Sequence, residues 1–269
     1  MSRLKKCFEQ LKVEGRKGVI PYIVAGDPDL KVTVPMMHEL VCQGASIIEL
    51  GVPFSDPMAE GPVIQRAHER ALVHGTSLRN TLDIAVEFRT VDAVTPIVLM
   101  GYANPIEVMG YQIFAKAAAE AGIDGVITVD MPPEEVTGLN IELVKVGIDN
   151  IFLIAPTSSS ERIKMIADSA TGFLYYVSLK GVTGSSSLDA DAVSKACAEI
   201  RDVSQLPLAV GFGIKDADSA CLVGLSADAV VVGSALVNAM DAEQCDDMKL
   251  MCNNSAKLIG DIRTALDTL

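Results

Sequence analysis

Eight short apolar runs, separated by segments of helical period, limit what this chain can fold into. The runs are "GVIPYIVAG" (18–26), "ASIIELGV" (45–52), "PIVLMGYA" (96–103), "DGVITVD" (124–130), "NIFLIAP" (150–156), "FLYYVS" (173–178), "PLAVGFG" (207–213) and "DAVVVGS" (228–234). Mostly β-branched or aliphatic, they read as strands buried on both faces, the pattern of a parallel sheet. Parallel neighbours need long crossovers, and the intervening stretches supply them: "LKVTVPMMHELVCQG", "EVMGYQIFAKAAAEAG", "PEEVTGLNIELVKVG", "SSERIKMIADSA" and "DADAVSKACAEIRD". Many start on Asp, Ser or Pro and end near Gly, as helix caps require. An internal echo agrees: "GASIIEL", "GIDGVIT", "GIDNIFL" and "SADAVVV" each put a helix end and a turn just before a strand, at spacings near multiples of ~26 residues.

The 269 residues suit one large α/β barrel of ~250 residues. No Pro/Ser-rich linker or charge run divides the chain. The expectation is α/β, one (β/α)₈ TIM barrel over residues 1–269 rather than an open doubly wound sheet. The amphipathic "MSRLKKCFEQLK" adds an extra helix at the N-terminus and lacks the apolar core of a signal peptide.

Charge and cysteine content narrow the function. A net charge of −13 argues against nucleic acid, whose phosphates are bound through Lys and Arg. Six scattered cysteines without a CxxC pair read as reduced thiols in a cytoplasmic protein. No apolar run approaches the ~20 residues that cross a bilayer. His38, His68 and His74 fall in or near the second and third helical regions, away from strand ends and without metal-ligand spacing; they read as surface or internally satisfied side chains, and no metal is expected.

In such barrels chemistry sits at the C-terminal strand ends. Two late strands end in "VGFGI" (210–214) and "VVGSA" (231–235), the second running into a helix. Glycines there let backbone N–H groups approach an anion, and a helix N-terminus attracts it. Gly213, Gly233 and Ser234 are candidates for phosphate, with Gly184 after strand six as a further donor.

Glu49 stands inside an apolar run. Strand alternation would turn it into the barrel if Ile48 and Leu50 face the helices. Without a cation beside it, burial raises its pKa, and a Glu shifted toward neutrality both takes and gives a proton near pH 7. A remote Lys or Arg pairing with it is the competing arrangement. The loop "PFSDPMAEGP" that follows is stiffened by Pro53, Pro57 and Pro62, carries the acids Asp56 and Glu60, and suits a lid. "SLKGVTGSSSLDA" (178–190) is a second lid candidate, its Thr183 placed to bond a loop carboxylate. Tyr22, Tyr102, Tyr175 and Phe212 are candidates for the lining of the mouth.

These residues, in this order, resemble the α subunit family of tryptophan synthase over nearly the whole chain. The resemblance rests on "PYIVAGDPD", "IELGVPFSDPMAEGPVIQ", "MGYANPI", "DGVITVDMPPEE", "YYVSLKGVTG", "VGFGI" and "VVGSA". It implies a lyase of tryptophan biosynthesis that splits indole-3-glycerol phosphate into indole and glyceraldehyde 3-phosphate by retro-aldol chemistry. On that pattern Glu49 is the acid/base and Glu60 the carboxylate that stabilises charge on the indole nitrogen; the commoner residue at 60 is Asp, one methylene shorter. Tyr175 and Thr183 match supporting positions, and Gly184, Gly213, Gly233 and Ser234 match the phosphate cradle. Leu179 stands where some members have Arg, so no lid-locking ion pair forms there. The family also implies a β subunit, an αββα heterotetramer, and pyridoxal phosphate (PLP) on that partner with no cofactor in this chain. The loops 27–32, 101–108 and 130–135 are the expected contacts.

Two alternatives stay open at this level. One is a different phosphate-binding barrel, such as a sugar-phosphate isomerase or aldolase; a Schiff-base aldolase would want a Lys at a strand end, and strand six ends in Ser178 with Lys180 beyond it in the loop. The other is a barrel with little activity of its own that activates the β subunit.

Overall fold

The computed structural model describes residues 2–178, 190–211, 213–242 and 247–269. Each apolar run holds one strand: β1 (Gly18–Val24), β2 (Ile48–Gly51), β3 (Ile97–Gly101), β4 (Gly125–Thr128), β5 (Asp149–Ile154), β6 (Leu174–Val177), β7 (Leu208–Gly211) and β8 (Ala229–Val232). They close into a barrel in sequence order, each parallel to its neighbours. This is the expected (β/α)₈ TIM barrel.

Around it run α1 (Arg3–Glu14), α2 (Leu30–Cys42), α3 (Pro62–Val73), α4 (Leu78–Arg89), α5 (Ala103–Met109) and α6 (Tyr111–Glu120). The second half supplies α7 (Thr137–Val146), α8 (Ser160–Ser169), α9 (Ala190–Val203), α10 (Ala217–Gly224), α11 (Ser234–Ala242) and α12 (Met248–Leu266). Residues 107–122, read as one helix, are two. Gly110 takes φ +83° between α5 and α6, a conformation that breaks a right-handed helix.

Strand alternation makes two cores. Outward-facing Val19, Ile23, Ile48, Leu50, Leu99, Val210 and Val230 pack against the helices. Inward-facing Ile20, Val98, Ile127, Ile151, Ala209 and Ala229 fill the barrel, together with Leu4, Phe8 and Leu11 of α1. The N-terminal helix therefore plugs the end where the strands begin. Ser2 caps it by accepting from the Lys5 N–H, Gly15 ends it at φ 68°, and Phe8 meets Phe173 with ring centroids 5.6 Å apart. Each of its three buried apolar side chains stabilises the plug by roughly 1.5–3 kcal/mol.

A buried carboxylate at this end is matched by donors. The buried Asp124 carboxylate accepts from Arg3 Nη1 (3.0 Å), Arg89 Nη2 (2.9 Å) and the Ile97 N–H (2.9 Å). Arg89 also donates to the carbonyls of Gly122, Asp92 and Thr95, which ties α4 to the approaches of β3 and β4. With this end of the barrel filled by α1, the strands' C-terminal ends are left as the mouth.

Candidate active site

Glu49 is the second residue of β2, in register with Tyr22 on β1 and Val98 on β3. Val98 belongs to the barrel interior, so Glu49 points inward. Its side chain is 1 % exposed, and neither carboxylate oxygen has a hydrogen-bond partner. Burial is the main cause that lifts its pKa from 4.5 to about 8, with the charge of Glu60 adding to it. Among the described residues, no Lys or Arg pairs with this acid, the competing arrangement.

Glu60 reaches the same space from the loop 52–61. It is half-buried, and burial pushes its pKa to about 7. Asp56, the loop's other acid, is exposed and accepts a 2.6 Å bond from Ser55 Oγ. One loop acid faces inward and the other is spent locally. Several contacts fasten the loop. Ala59 N–H donates to Tyr102 Oη (3.2 Å), Phe54 stacks on Tyr102 at 5.1 Å, and the Glu60 carbonyl accepts from Gln65 Nε2 (2.9 Å). Gly61 has φ −75° and caps α3 in ordinary extended geometry.

The tyrosines show a repeated device. Tyr22 on β1 extends over Gly51 of β2, where a Cβ would lie 2.4 Å from Tyr22 Oη. Tyr175 on β6 extends over Gly211 of β7, where a Cβ would lie 2.2 Å from Tyr175 Oη. In each pair the glycine is two residues beyond the tyrosine's register partner, which is Glu49 in the first and Ala209 in the second. Both hydroxyls are thereby stacked above the barrel filling, in the space that residue 51 or 211 would otherwise take. Burial and the nearby Glu49 and Glu60 charges raise both phenols well above 10, so they stay protonated. Tyr102 is also buried; its pKa rises to about 12, chiefly by burial.

Gly51, Gly211 and His68 were not among the sequence candidates. His68 lies on α3, 2 % exposed, its Nδ1 3.1 Å from the Phe54 N–H and its Nε2 3.2 Å from Tyr22 Oη. It is satisfied, as expected, but what satisfies it is Tyr22 at the barrel mouth and the base of the loop. His38 stacks on Phe88 at 4.7 Å, and His74 Nε2 meets the Pro28 carbonyl at 2.9 Å.

The phosphate candidates are placed in part. Gly213 is exposed at φ 79° after β7. Gly233 leads into α11, its carbonyl accepting from the Leu236 and Val237 N–H groups, and exposed Ser234 opens the helix. The first-turn N–H groups of such a helix have no carbonyl a turn earlier to bond. A Cβ on Gly233 would sit 3.8 Å from Tyr22 Cβ, so this helix start adjoins the Tyr22–Glu49 wall. Thr183, Gly184, Phe212, Leu179, Lys180 and the middle of the 178–190 segment lie outside the described residues. Among the described residues, no group of three or more His, Cys, Asp or Glu side chains could hold a metal ion.

This geometry can be set beside known proteins. Residues 8–266 match the family described as tryptophan synthase alpha chain. The chain is 58 % identical to the tryptophan synthase alpha chain of Thioalkalivibrio sulfidiphilus over 267 residues, covering 99 % of this chain and 100 % of that one. It is 54 % identical to that of Dechloromonas aromatica, over 99 % of this chain and 98 % of the other. The crystal structure of tryptophan synthase subunit alpha from Legionella pneumophila superposes with a TM-score of 0.92 at 45 % identity, covering 100 % of both chains. A tryptophan synthase structure from M. tuberculosis in its aminoacrylate-bound form gives 0.87 at 33 % identity, over 99 % of this chain and 100 % of that one. With a buried, unpaired glutamate at the mouth of an eightfold barrel and this extent of likeness, the chain belongs to the tryptophan synthase alpha chain family, lyases of tryptophan biosynthesis.

Proposed function

We propose that the chain cleaves indole-3-glycerol phosphate to indole and glyceraldehyde 3-phosphate, with Glu49 as the acid/base. The observation that carries this is the Glu49 carboxyl, buried without a partner on either oxygen and shifted to about 8. Such a group holds a proton at neutral pH yet gives it up at modest cost.

The cleavage then balances as follows. Glu49 delivers its proton to the indole carbon that bears the glycerol chain, which makes the ring an electron sink. As the carbon–carbon bond breaks, its electron pair returns to the ring. The chain hydroxyl next to the bond becomes the aldehyde, and its proton restores Glu49. Positive charge on the ring nitrogen is met by the Glu60 carboxylate. Tyr22 and Tyr175 line the cavity with protonated phenols, and Tyr102 fastens the loop that carries Glu60. The start of α11, with Gly233, Ser234 and Gly213, is the cradle assigned to the phosphate.

The partner is assigned on the same reading. The expected contact segments follow β1, β3 and β4, on the side of the barrel that holds the site, and expose Asn104, Val108, Glu134 and Glu135; the second, expected as a loop, is mostly helix α5. A β subunit docked there, in an αββα assembly, would receive indole and hold the PLP. None of the five described cysteines is in a disulfide, in keeping with a reducing compartment such as the cytoplasm. No helix among the described residues is long and apolar enough to cross a membrane.

The test is release of indole and glyceraldehyde 3-phosphate from indole-3-glycerol phosphate, with and without β subunit. Wild type is expected to form both in equal amounts and Glu49→Gln to form neither at a measurable rate. Indole release that survives Glu49→Gln, or borohydride trapping of a lysine adduct with substrate, would replace this reading with a different barrel chemistry.

A further inference from the structure

We infer that His68 is a positioning residue for the reaction: it fixes the Tyr22 hydroxyl as a hydrogen-bond donor aimed into the barrel mouth, toward the substrate oxygen that Glu49 deprotonates. The inference rests on the cleavage proposed above. Its basis is the direction of two hydrogen bonds.

The Phe54 backbone N–H can only donate, so His68 Nδ1, 3.1 Å away, must be the acceptor. An Nδ1 that accepts carries no proton. The ring is therefore neutral, with its one hydrogen on Nε2. Burial works the same way, lowering the His68 pKa to about 4. Nε2–H then donates to Tyr22 Oη across 3.2 Å. That contact occupies a lone pair of the phenol and leaves its own proton to be given elsewhere. The opposite tautomer would draw the Tyr22 proton toward the histidine and present only lone pairs to the cavity.

Where the proton goes follows from the strands. Tyr22 Oη lies over Gly51, two residues above Glu49 on the same face of β2. It is thus beside the carboxyl that collects the substrate proton. An oxygen losing its proton to Glu49 gains negative charge, and a fixed donor next to it stabilises that charge more than it stabilises the bound hydroxyl. The base of the loop carrying Glu60 sets the tautomer through Phe54, so loop position and hydroxyl direction are linked in one chain of contacts.

Two histidine variants separate the two bonds. His68→Gln keeps an N–H at the reach of Nε2, and His68→Asn keeps an acceptor at the reach of Nδ1 but no donor to Tyr22. On the full chain, Tyr22→Phe and His68→Asn are expected to lower kcat roughly tenfold with little change in KM, as for loss of one transition-state hydrogen bond. His68→Gln is expected to stay within about threefold of wild type, and His68→Asn to add less than about twofold in a Tyr22→Phe background. Equal losses in both histidine variants, losses that multiply with Tyr22→Phe, or an effect confined to KM would overturn the inference. ¹⁵N NMR of the unsubstituted protein reads the tautomer whatever the variants' folding: Nε2–H is expected, and Nδ1–H overturns it. Glu49→Gln in the same series separates the two levels. Indole release that survives it sinks the reaction assigned to the site; strict dependence on Glu49 without coupling between His68 and Tyr22 sinks only the role of His68.

Discussion

Two buried carboxylates occupy opposite ends of one barrel, Asp124 at the plugged end and Glu49 at the mouth. They differ in what surrounds them. Asp124 accepts from two arginines and a backbone N–H, and Arg89 spreads its other donors over three carbonyls. Glu49 has tyrosines, aliphatic walls and a second carboxylate nearby and, among the described residues, no donor on either oxygen. The same functional group is a structural clamp where its charge is matched and, on the proposed reading, a proton store where it is not. One end of the fold matches its buried charge, and the other leaves it unmatched, as the proposed acid/base role requires.

That contrast predicts opposite responses to substitution. Glu49→Gln should lower indole release by roughly 10³-fold or more while leaving the folded protein at pH 8 at least as stable as wild type, since an unpaired acid has become a neutral amide. Urea unfolding alongside the activity assay checks both halves. Arg89→Met should do the reverse, costing roughly 3 kcal/mol by stripping Asp124 and three carbonyls of a donor, with kcat of the folded fraction within about twofold of wild type. A large fall in kcat for Arg89→Met would break the separation of the two ends.

Smaller changes at the mouth sharpen it. Gly211→Ala puts a methyl where Tyr175 Oη lies, so the tyrosine must move; a loss of about 1–3 kcal/mol in urea unfolding and a several-fold fall in kcat are expected. Unchanged values for both would mean that Tyr175 is not held there. Tyr102→Phe removes the acceptor for the Ala59 N–H and should raise KM by a few-fold, with at most about 1 kcal/mol of stability lost. A Tyr102→Phe enzyme with normal KM and tenfold lower kcat would instead place this hydroxyl in the chemistry.

What could be read from the sequence follows the same division. The eight strands were legible because a strand buried on both faces has to be continuously apolar, and Glu49 was legible because it interrupts such a run. Gly51 and Gly211 were not, since each is required by a tyrosine on a neighbouring strand. His68 was hidden for a similar reason: its two partners are 14 and 46 residues away in sequence and meet it only when α3 packs beside β1. Tyr102 was expected to line the cavity, and its hydroxyl is engaged in holding the loop. The break at Gly110 was masked by a helical pattern that continues on both sides of it.

The central claim is that Glu49 holds its proton at neutral pH, and a direct titration decides it. The carboxyl can be followed by ¹³C NMR in glutamate-labelled protein, with Glu49→Gln identifying the signal. The midpoint is expected near 8, against the ordinary 4.5. The sign of the linked stability follows. The folded state keeps a proton that the unfolded chain releases, so this contribution is fully present below pH 4.5 and lost as the pH rises to about 8. The loss is at most roughly 1.4 kcal/mol per pH unit, and Glu49→Gln should remove it. A Glu49 signal already ionised below pH 5 would contradict the account.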